Sequence, residues 1–209
     1  MYKVKEIFYT LQGEGAHAGR AAVFCRFTGC NLWSGKEKDR ATAICRFCDT
    51  DFWGTDGLNG GRYSAAQLAE KVFSLWKNNG EGKPFVVCTG GEPLLQLDKK
   101  LISAFHALGL EVAVETNGTI GIPEGVDWVC VSPKAGADLV VHSGDELKLV
   151  YPQTGAEPEK YTHLNFRHFF LQPMDSIDKE FNTRATVEYC MNQPKWRLSL
   201  QTHKLLNIP

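Results

Sequence analysis

Short apolar runs recur along this chain at 23–27, 85–89, 111–115, 128–131, 146–150, 169–172 and 197–200, most of them rich in Val, Leu or Phe. Such runs are expected for strands buried on both faces of a parallel sheet. Helical patterns alternate with some of them. Ser64 can cap a helix in which Leu68, Val72 and Leu75 recur on one face. Residues 97–108 place Leu101, Ile102, Phe105 and Leu108 on one face, with Gly109 as the stop. Residues 182–191 form a shorter candidate, ended by Pro194. The alternation predicts repeated βα units. A full eight-fold barrel typically takes about 250 residues. With 209 residues, the expected fold is α/β: an incomplete TIM-like barrel of parallel strands, formed as a single domain over 1–209.

Polar or glycine-bearing motifs follow four of the runs: Thr89-Gly90-Gly91-Glu92-Pro93, Thr116-Asn117-Gly118, Ser132-Pro133-Lys134 and Pro173-Met174-Asp175. In open or closed α/β sheets the carboxyl ends of the strands carry the site. These motifs are therefore the first candidates for chemistry.

Lys plus Arg total 23 against 24 Asp plus Glu. That balance argues against a nucleic-acid or anionic-membrane surface as the main business. Lys36, Lys38 and Arg40 form a short basic run, broken by Glu37 and Asp39 and read as a solvated loop. No stretch approaches a membrane span, and the opening residues lack the apolar core of a signal peptide, so a cytoplasmic protein is expected. Seven cysteines are then an odd count in a reducing compartment, which favours metal or cluster ligation over disulfides.

Cys25, Cys88 and Cys130 sit within apolar runs and read as small core residues; Cys190 is given no role. Cys45 and Cys48 form a CxxC pair, and Cys30 precedes it by fourteen intervening residues. A structural zinc site normally closes four ligands, and the fourth would have to come from His17 or a distant residue. A thioredoxin-like pair would leave Cys30 idle. A [4Fe–4S] cluster held by only three Cys keeps one iron open for a small molecule. Spacing alone leaves cluster and zinc both open. Thr89-Gly90-Gly91-Glu92-Pro93 taken alone reads as a strand-to-helix turn, although adjacent glycines let a ligand approach the backbone and a neighbouring carboxylate can accept from an ammonium group; beside an open three-cysteine site it resembles a binding motif for S-adenosylmethionine.

Together these motifs resemble the radical S-adenosylmethionine (SAM) superfamily. Phe47 keeps the aromatic position before the last Cys, although the first cysteine spacing is expanded. The chain looks like the 7-carboxy-7-deazaguanine synthase family, in a subgroup with a long insertion in the cluster loop. The resemblance runs nearly end to end. It includes Phe8-Tyr9-Thr10-Leu11-Gln12-Gly13-Glu14-Gly15, Phe24-Cys25-Arg26-Phe27, Gly29-Cys30-Asn31-Leu32-Trp33, Cys45-Arg46-Phe47-Cys48-Asp49-Thr50-Asp51, Glu115-Thr116-Asn117-Gly118, Leu171-Gln172-Pro173-Met174-Asp175 and Gln201-Thr202-His203-Lys204.

The resemblance implies a lyase of 7-deazapurine (queuosine) biosynthesis. Its reaction contracts the ring of 6-carboxy-5,6,7,8-tetrahydropterin to 7-carboxy-7-deazaguanine with loss of ammonia. A [4Fe–4S] cluster, SAM and Mg²⁺ are the implied cofactors, and SAM is regenerated. A homodimer and a flavodoxin-like electron donor are the implied partners, with the basic insertion loop as a docking point. The rival enzyme reading is an activase that makes a glycyl radical on another protein. The non-enzymatic rival is a small zinc-binding module.

Site residues follow from the matched motifs. Cys30, Cys45 and Cys48 are the expected cluster ligands, and Gly90, Gly91 and Glu92 lie beside the SAM amino group. Ser132, Pro133 and Lys134 serve the SAM ribose and carboxylate, and Glu115 the ribose. Gln172, Pro173, Met174 and Asp175 are expected near the adenine. Arg26 suits the substrate carboxylate, because a guanidinium fork matches it bidentately. Glu14, or a Pro209 carboxylate on a tail folded into the pocket, would accept from the pterin edge. Leu11, Gln12, Gly13, Thr89 and His203 complete the expected substrate site. The family match points to the Thr50 hydroxyl as the Mg²⁺ ligand. The residues alone would favour Asp49 or Asp51, since Mg²⁺ prefers oxygen ligands.

Overall fold

In a computed structural model, which describes residues 1–77 and 82–209, nine strands form one sheet in the order β3-β1-β2-β4-β5-β6-β7-β8-β9. The strands are β1 Tyr2–Leu11, β2 Ala21–Phe27, β3 Gly61–Tyr63, β4 Phe85–Gly90, β5 Glu111–Thr116, β6 Trp128–Val131, β7 Ser143–Tyr151, β8 Asn165–Pro173 and β9 Trp196–Leu198. From β2 to β9 every neighbouring pair is parallel. β1 runs antiparallel to both β2 and β3. The open, mostly parallel sheet matches the expected incomplete barrel, with an antiparallel edge added.

That edge was not expected from sequence. Between Val4 and Glu6 the register of β1 shifts, so Val4, Lys5, Ile7 and Phe8 are all buried. An extra residue in one strand breaks the two-residue alternation by which a strand is recognised.

Helix α1, Ala65–Leu75, starts at a capping box in which Ser64 and Gln67 exchange side-chain and backbone hydrogen bonds. Its buried face is Ala65, Leu68, Ala69 and Val72. Helix α2, Lys99–Ala107, is capped by the Asp98 carboxylate, which accepts from the Leu101 N–H. Both helices pack against one face of β1, β2, β4 and β5, and Val23, Cys25, Val86, Cys88, Val112 and Val114 form the shared core. Cys25 and Cys88 are thus core residues, paired in register.

The expected βα repetition fails beyond β5. Only α3, Lys179–Asn192, and the short α4, Thr202–Leu206, follow α2, and no α-helix joins β5 to β6, β6 to β7 or β7 to β8. Loop residues cover the sheet there instead: Val141 and Ala156 are buried against Val131, Leu147, Leu149 and Leu171.

The opposite, concave face is polar. Alternation along the strands turns Arg26 and Thr89, Glu115 and Lys148, and Gln172 to one side. Residues 13–17 close its lower end. Gly15 N–H donates to Ser199 Oγ (2.9 Å) and Ala16 N–H to Glu146 Oε2 (2.8 Å). The His17 ring packs against Trp128, with centroids 4.1 Å apart. On the open side, the Thr202 N–H and hydroxyl both donate to the Gly13 carbonyl at 3.0 Å. The Thr10 hydroxyl donates to the Pro209 carbonyl (2.9 Å).

Candidate active site

A cavity of about 400 Å³ opens at the carboxyl ends of the parallel strands. Cys30, Cys45 and Cys48 line its mouth, Cys30 on the loop leaving β2. All seven cysteines are free thiols. Cys30 Sγ accepts from Leu32 N–H at 3.4 Å. The Cys45–Cys48 hydrogen bond holds the Cys48 thiol below its ordinary pKa and pushes Cys45 up. Beneath them the Lys134 ammonium donates to the Ser132 carbonyl (2.7 Å) and hydroxyl (2.6 Å). Burial lowers its pKa. Among the described residues it makes no ion pair with a carboxylate, which leaves a partly buried cation facing the cavity.

The glycine pair meets a packing requirement that the sequence did not suggest. A Cβ on Gly90 would lie 2.2 Å from the Phe27 carbonyl oxygen, and one on Gly91 2.3 Å from the Gly29 carbonyl oxygen. The chain's own backbone, on the segment that leads into Cys30, is what approaches. Both glycines still line the cavity. Glu92 does not. It is fully buried, and its carboxylate accepts from Leu94 N–H (3.0 Å), Thr116 Oγ1 (2.8 Å) and Asn117 N–H (2.8 Å). Its place in the structure is to splice the β4 loop to the β5 loop, and burial raises its pKa. Pro133 is likewise absent from the lining, whereas Ser132 and Lys134 are present.

Deeper in, Lys148 carries the floor. Its ammonium sits 2.5 Å from Glu14 Oε2 and 3.4 Å from Glu115 Oε1. Burial alone would lower the Lys148 pKa, but the surrounding acidic groups raise it well above the ordinary value. Burial likewise works against a charged Glu14, yet Lys148 outweighs it and its pKa falls. Gln172 and Gln201 donate to Glu14 Oε1 (3.2 and 3.0 Å), and Gln12 donates to Glu115 Oε1 (2.9 Å). Lys148 and Gln201 are site residues that the sequence reading missed. Cys130, read as plain core, is buried on this face among Glu115, Glu146 and Lys148.

The remaining expected residues converge on the same space. Leu11, Gln12, Gly13, Arg26, Thr89, Pro173, Met174, His203 and Pro209 all line the cavity. Arg26 Nε donates to Glu6 Oε1 (2.8 Å), with its guanidinium 5.9 Å from the Phe8 ring centre. A Cβ on Gly13 would meet His203 Nδ1 at 2.2 Å, so the glycine makes room for that ring. Thr50 lines the cavity as well. Its acidic neighbours are engaged: Asp49 pairs with Lys204 (2.6 Å) and Asp51 with Lys5 (2.8 Å). Lys204 also reaches Asp175 (2.5 Å), tying the cluster loop, α4 and the end of β8 together.

The donor set fits an iron–sulfur cluster. Three thiols line one cavity, and the Leu32 N–H points at the Cys30 sulfur. Among the described residues, no three His, Cys, Asp or Glu side chains converge closely enough to hold a single metal ion. His17, the candidate fourth zinc ligand, lies at the other end of the strands, against Trp128 and Phe85.

A partial parallel barrel with these thiols and the glycine-bearing β4 turn at its carboxyl end defines a radical SAM enzyme. No family model matches the chain. It is 61% identical over 209 residues to the 7-carboxy-7-deazaguanine synthase of Caulobacter vibrioides, covering 100% of this chain and 99% of that one. It is 60% identical over 209 residues to the same-named protein of Bordetella pertussis, with the same coverage. Crystalline QueE from Escherichia coli superposes with a TM-score of 0.72 at 27% identity, over 95% of this chain and 93% of that one. The chain belongs to the 7-carboxy-7-deazaguanine synthase family. The glycyl-radical activase reading finds no support among these relatives.

Proposed function

We propose that the chain, acting as one domain, converts 6-carboxy-5,6,7,8-tetrahydropterin to 7-carboxy-7-deazaguanine with release of ammonia. The observation that carries this reading is the full-length similarity to synthases of that name. A single cavity joining the three thiols to the Glu14–Lys148–Glu115 floor accords with it. When bound, the reduced cluster and SAM would supply radical chemistry for hydrogen abstraction at C6 of the substrate. The residues bind and orient. Lys134 neutralises the SAM carboxylate, and Ser132 and Glu115 receive its ribose. The Arg26 fork meets the substrate carboxylate. The Glu14 carboxylate, kept ionised by Lys148, accepts from the N–H groups of the pyrimidinone edge.

Thr50 would hold Mg²⁺ through its hydroxyl, since that ion prefers oxygen ligands. The engagement of Asp49 and Asp51 by lysines supports this choice. Gln172, Pro173, Met174 and Asp175 flank the adenine. His203 and the Pro209 end of the tail close the substrate side. The protein works in the cytoplasm as a homodimer, reduced by a flavodoxin-like donor; these assignments rest on the family. No described helix is long and apolar enough to cross a membrane.

Anaerobic incubation with SAM, reductant, Mg²⁺ and the carboxypterin, read by mass spectrometry, tests the reading. Formation of the deazaguanine is expected, and its absence in protein with full iron and sulfide content would overturn it.

A further inference from the structure

Between Cys30 and Cys45 the chain makes its long excursion, and one side chain ties that excursion back to the thiol-bearing turn. Arg40 Nε lies 2.8 Å from both Glu37 carboxylate oxygens. Its guanidinium sits over the Trp33 ring, 4.1 Å from the centroid. Its Nη1 donates to the carbonyl of Arg46 (2.9 Å) and to that of Cys48 (3.1 Å). One nitrogen thus spans the turn between the two cysteines. The platform beneath it is fixed. Trp33 is buried, meets Phe52 edge-on with centroids 5.5 Å apart, and donates from Nε1 to the Lys36 carbonyl (3.2 Å). Arg40 is therefore not a solvated member of a basic run.

We propose that Arg40 is a positioning residue for the cluster. Through the Arg46 and Cys48 carbonyls it sets the turn that presents Cys45 and Cys48. Its permanent charge beside that turn also favours the reduced, more negative state of the cluster. The physical grounds are threefold. Hydrogen bonds from a charged donor are stronger than neutral ones. A guanidinium stays charged at any working pH and presents its donors in a rigid plane. Cluster potentials respond to nearby charge and hydrogen bonding. Lysine can supply the charge but cannot stack on Trp33, bind Glu37 and span two carbonyls at once. The inference rests on Cys30, Cys45 and Cys48 being the cluster ligands.

The test uses the reconstituted holoenzyme with Arg40→Met and Arg40→Lys, and the apoprotein for hydrogen exchange. Three quantities are read: iron release to a chelator, amide exchange over residues 44–50, and the cluster midpoint potential by EPR-monitored titration. Arg40→Met should release iron roughly tenfold faster, as expected for losing charge-assisted hydrogen bonds. It should also exchange 44–50 faster and titrate at a lower potential. Arg40→Lys should keep a potential close to wild type while releasing iron at an intermediate rate. Wild-type iron release and exchange in Arg40→Met would overturn the positioning role. An equal fall in potential in both variants would overturn the charge effect. Full iron and sulfide in Cys48→Ala would instead remove the ligand reading beneath the proposal, a separate failure.

Discussion

The Lys148 ammonium and the Glu14 carboxylate, 134 residues apart in sequence, meet at 2.5 Å on the floor of the cavity, with side chains 6% and 14% exposed. Removing one member of a buried pair strands the other. Lys148→Met should therefore cost about 3–5 kcal/mol of stability at neutral pH, seen as a lower unfolding midpoint in denaturant. Glu14→Gln should cost less, because Glu115 remains as a partner for Lys148.

The same pair sets a pH dependence. Glu14 has its folded pKa depressed, so its contribution is present above the unfolded carboxylate value. It is lost as pH falls through the lower folded value. Between pH 5 and the onset of acid unfolding, Glu14→Gln should flatten the fall in stability. Calorimetric midpoints measured across that window check the slope; identical slopes for wild type and variant would contradict it.

Cys30→Ala, Cys45→Ala and Cys48→Ala should each lose most cluster absorbance and sulfide. Cys25→Ala and Cys88→Ala, in the core behind the sheet, should keep both, with about 1 kcal/mol of packing loss. Iron and sulfide assays on anaerobically prepared protein separate the two groups.

Thr50→Val removes the hydroxyl at similar volume. It should weaken Mg²⁺ activation several-fold while leaving iron content unchanged. Turnover titrated against Mg²⁺ is the measurement, and an unchanged titration would move the metal elsewhere.

Glu92→Gln places a donor where the carboxylate now accepts from three groups. An unmet buried donor costs about 1–3 kcal/mol, so thermal stability should fall. SAM affinity should fall only through the displaced loop. A large loss of SAM binding without loss of stability would return Glu92 to direct contact with the ligand.

Most of the candidate site was legible because its parts are punctuated: CxxC is a spacing that can be read directly, and the glycine pair and the Ser132-Pro133-Lys134 step each follow an apolar run. Lys148 was not. Glu146-Leu147-Lys148-Leu149 looks like one strand among several, and its charged positions alternate as they would on a solvated face. Curvature makes that face the inside of a barrel, and curvature is a property of the whole sheet. Arg40 was hidden for a related reason. Its partners are backbone carbonyls of Arg46 and Cys48, which carry no side-chain signature. β1 was lost to a bulge and the helix-free crossovers to loops that pack like helices, both of which local periodicity cannot register.

The double hydrogen bond from Thr202 to the Gly13 carbonyl orders events in time. Residue 13 leaves the ribosome long before residue 202, and a domain generally folds as a unit. The early strands can pair first, but the open side of the cavity stays unsealed until the last helix arrives. One side of the cavity is thus closed by a contact between residues 189 positions apart, and a chain that has not yet folded its last helix lacks that closure.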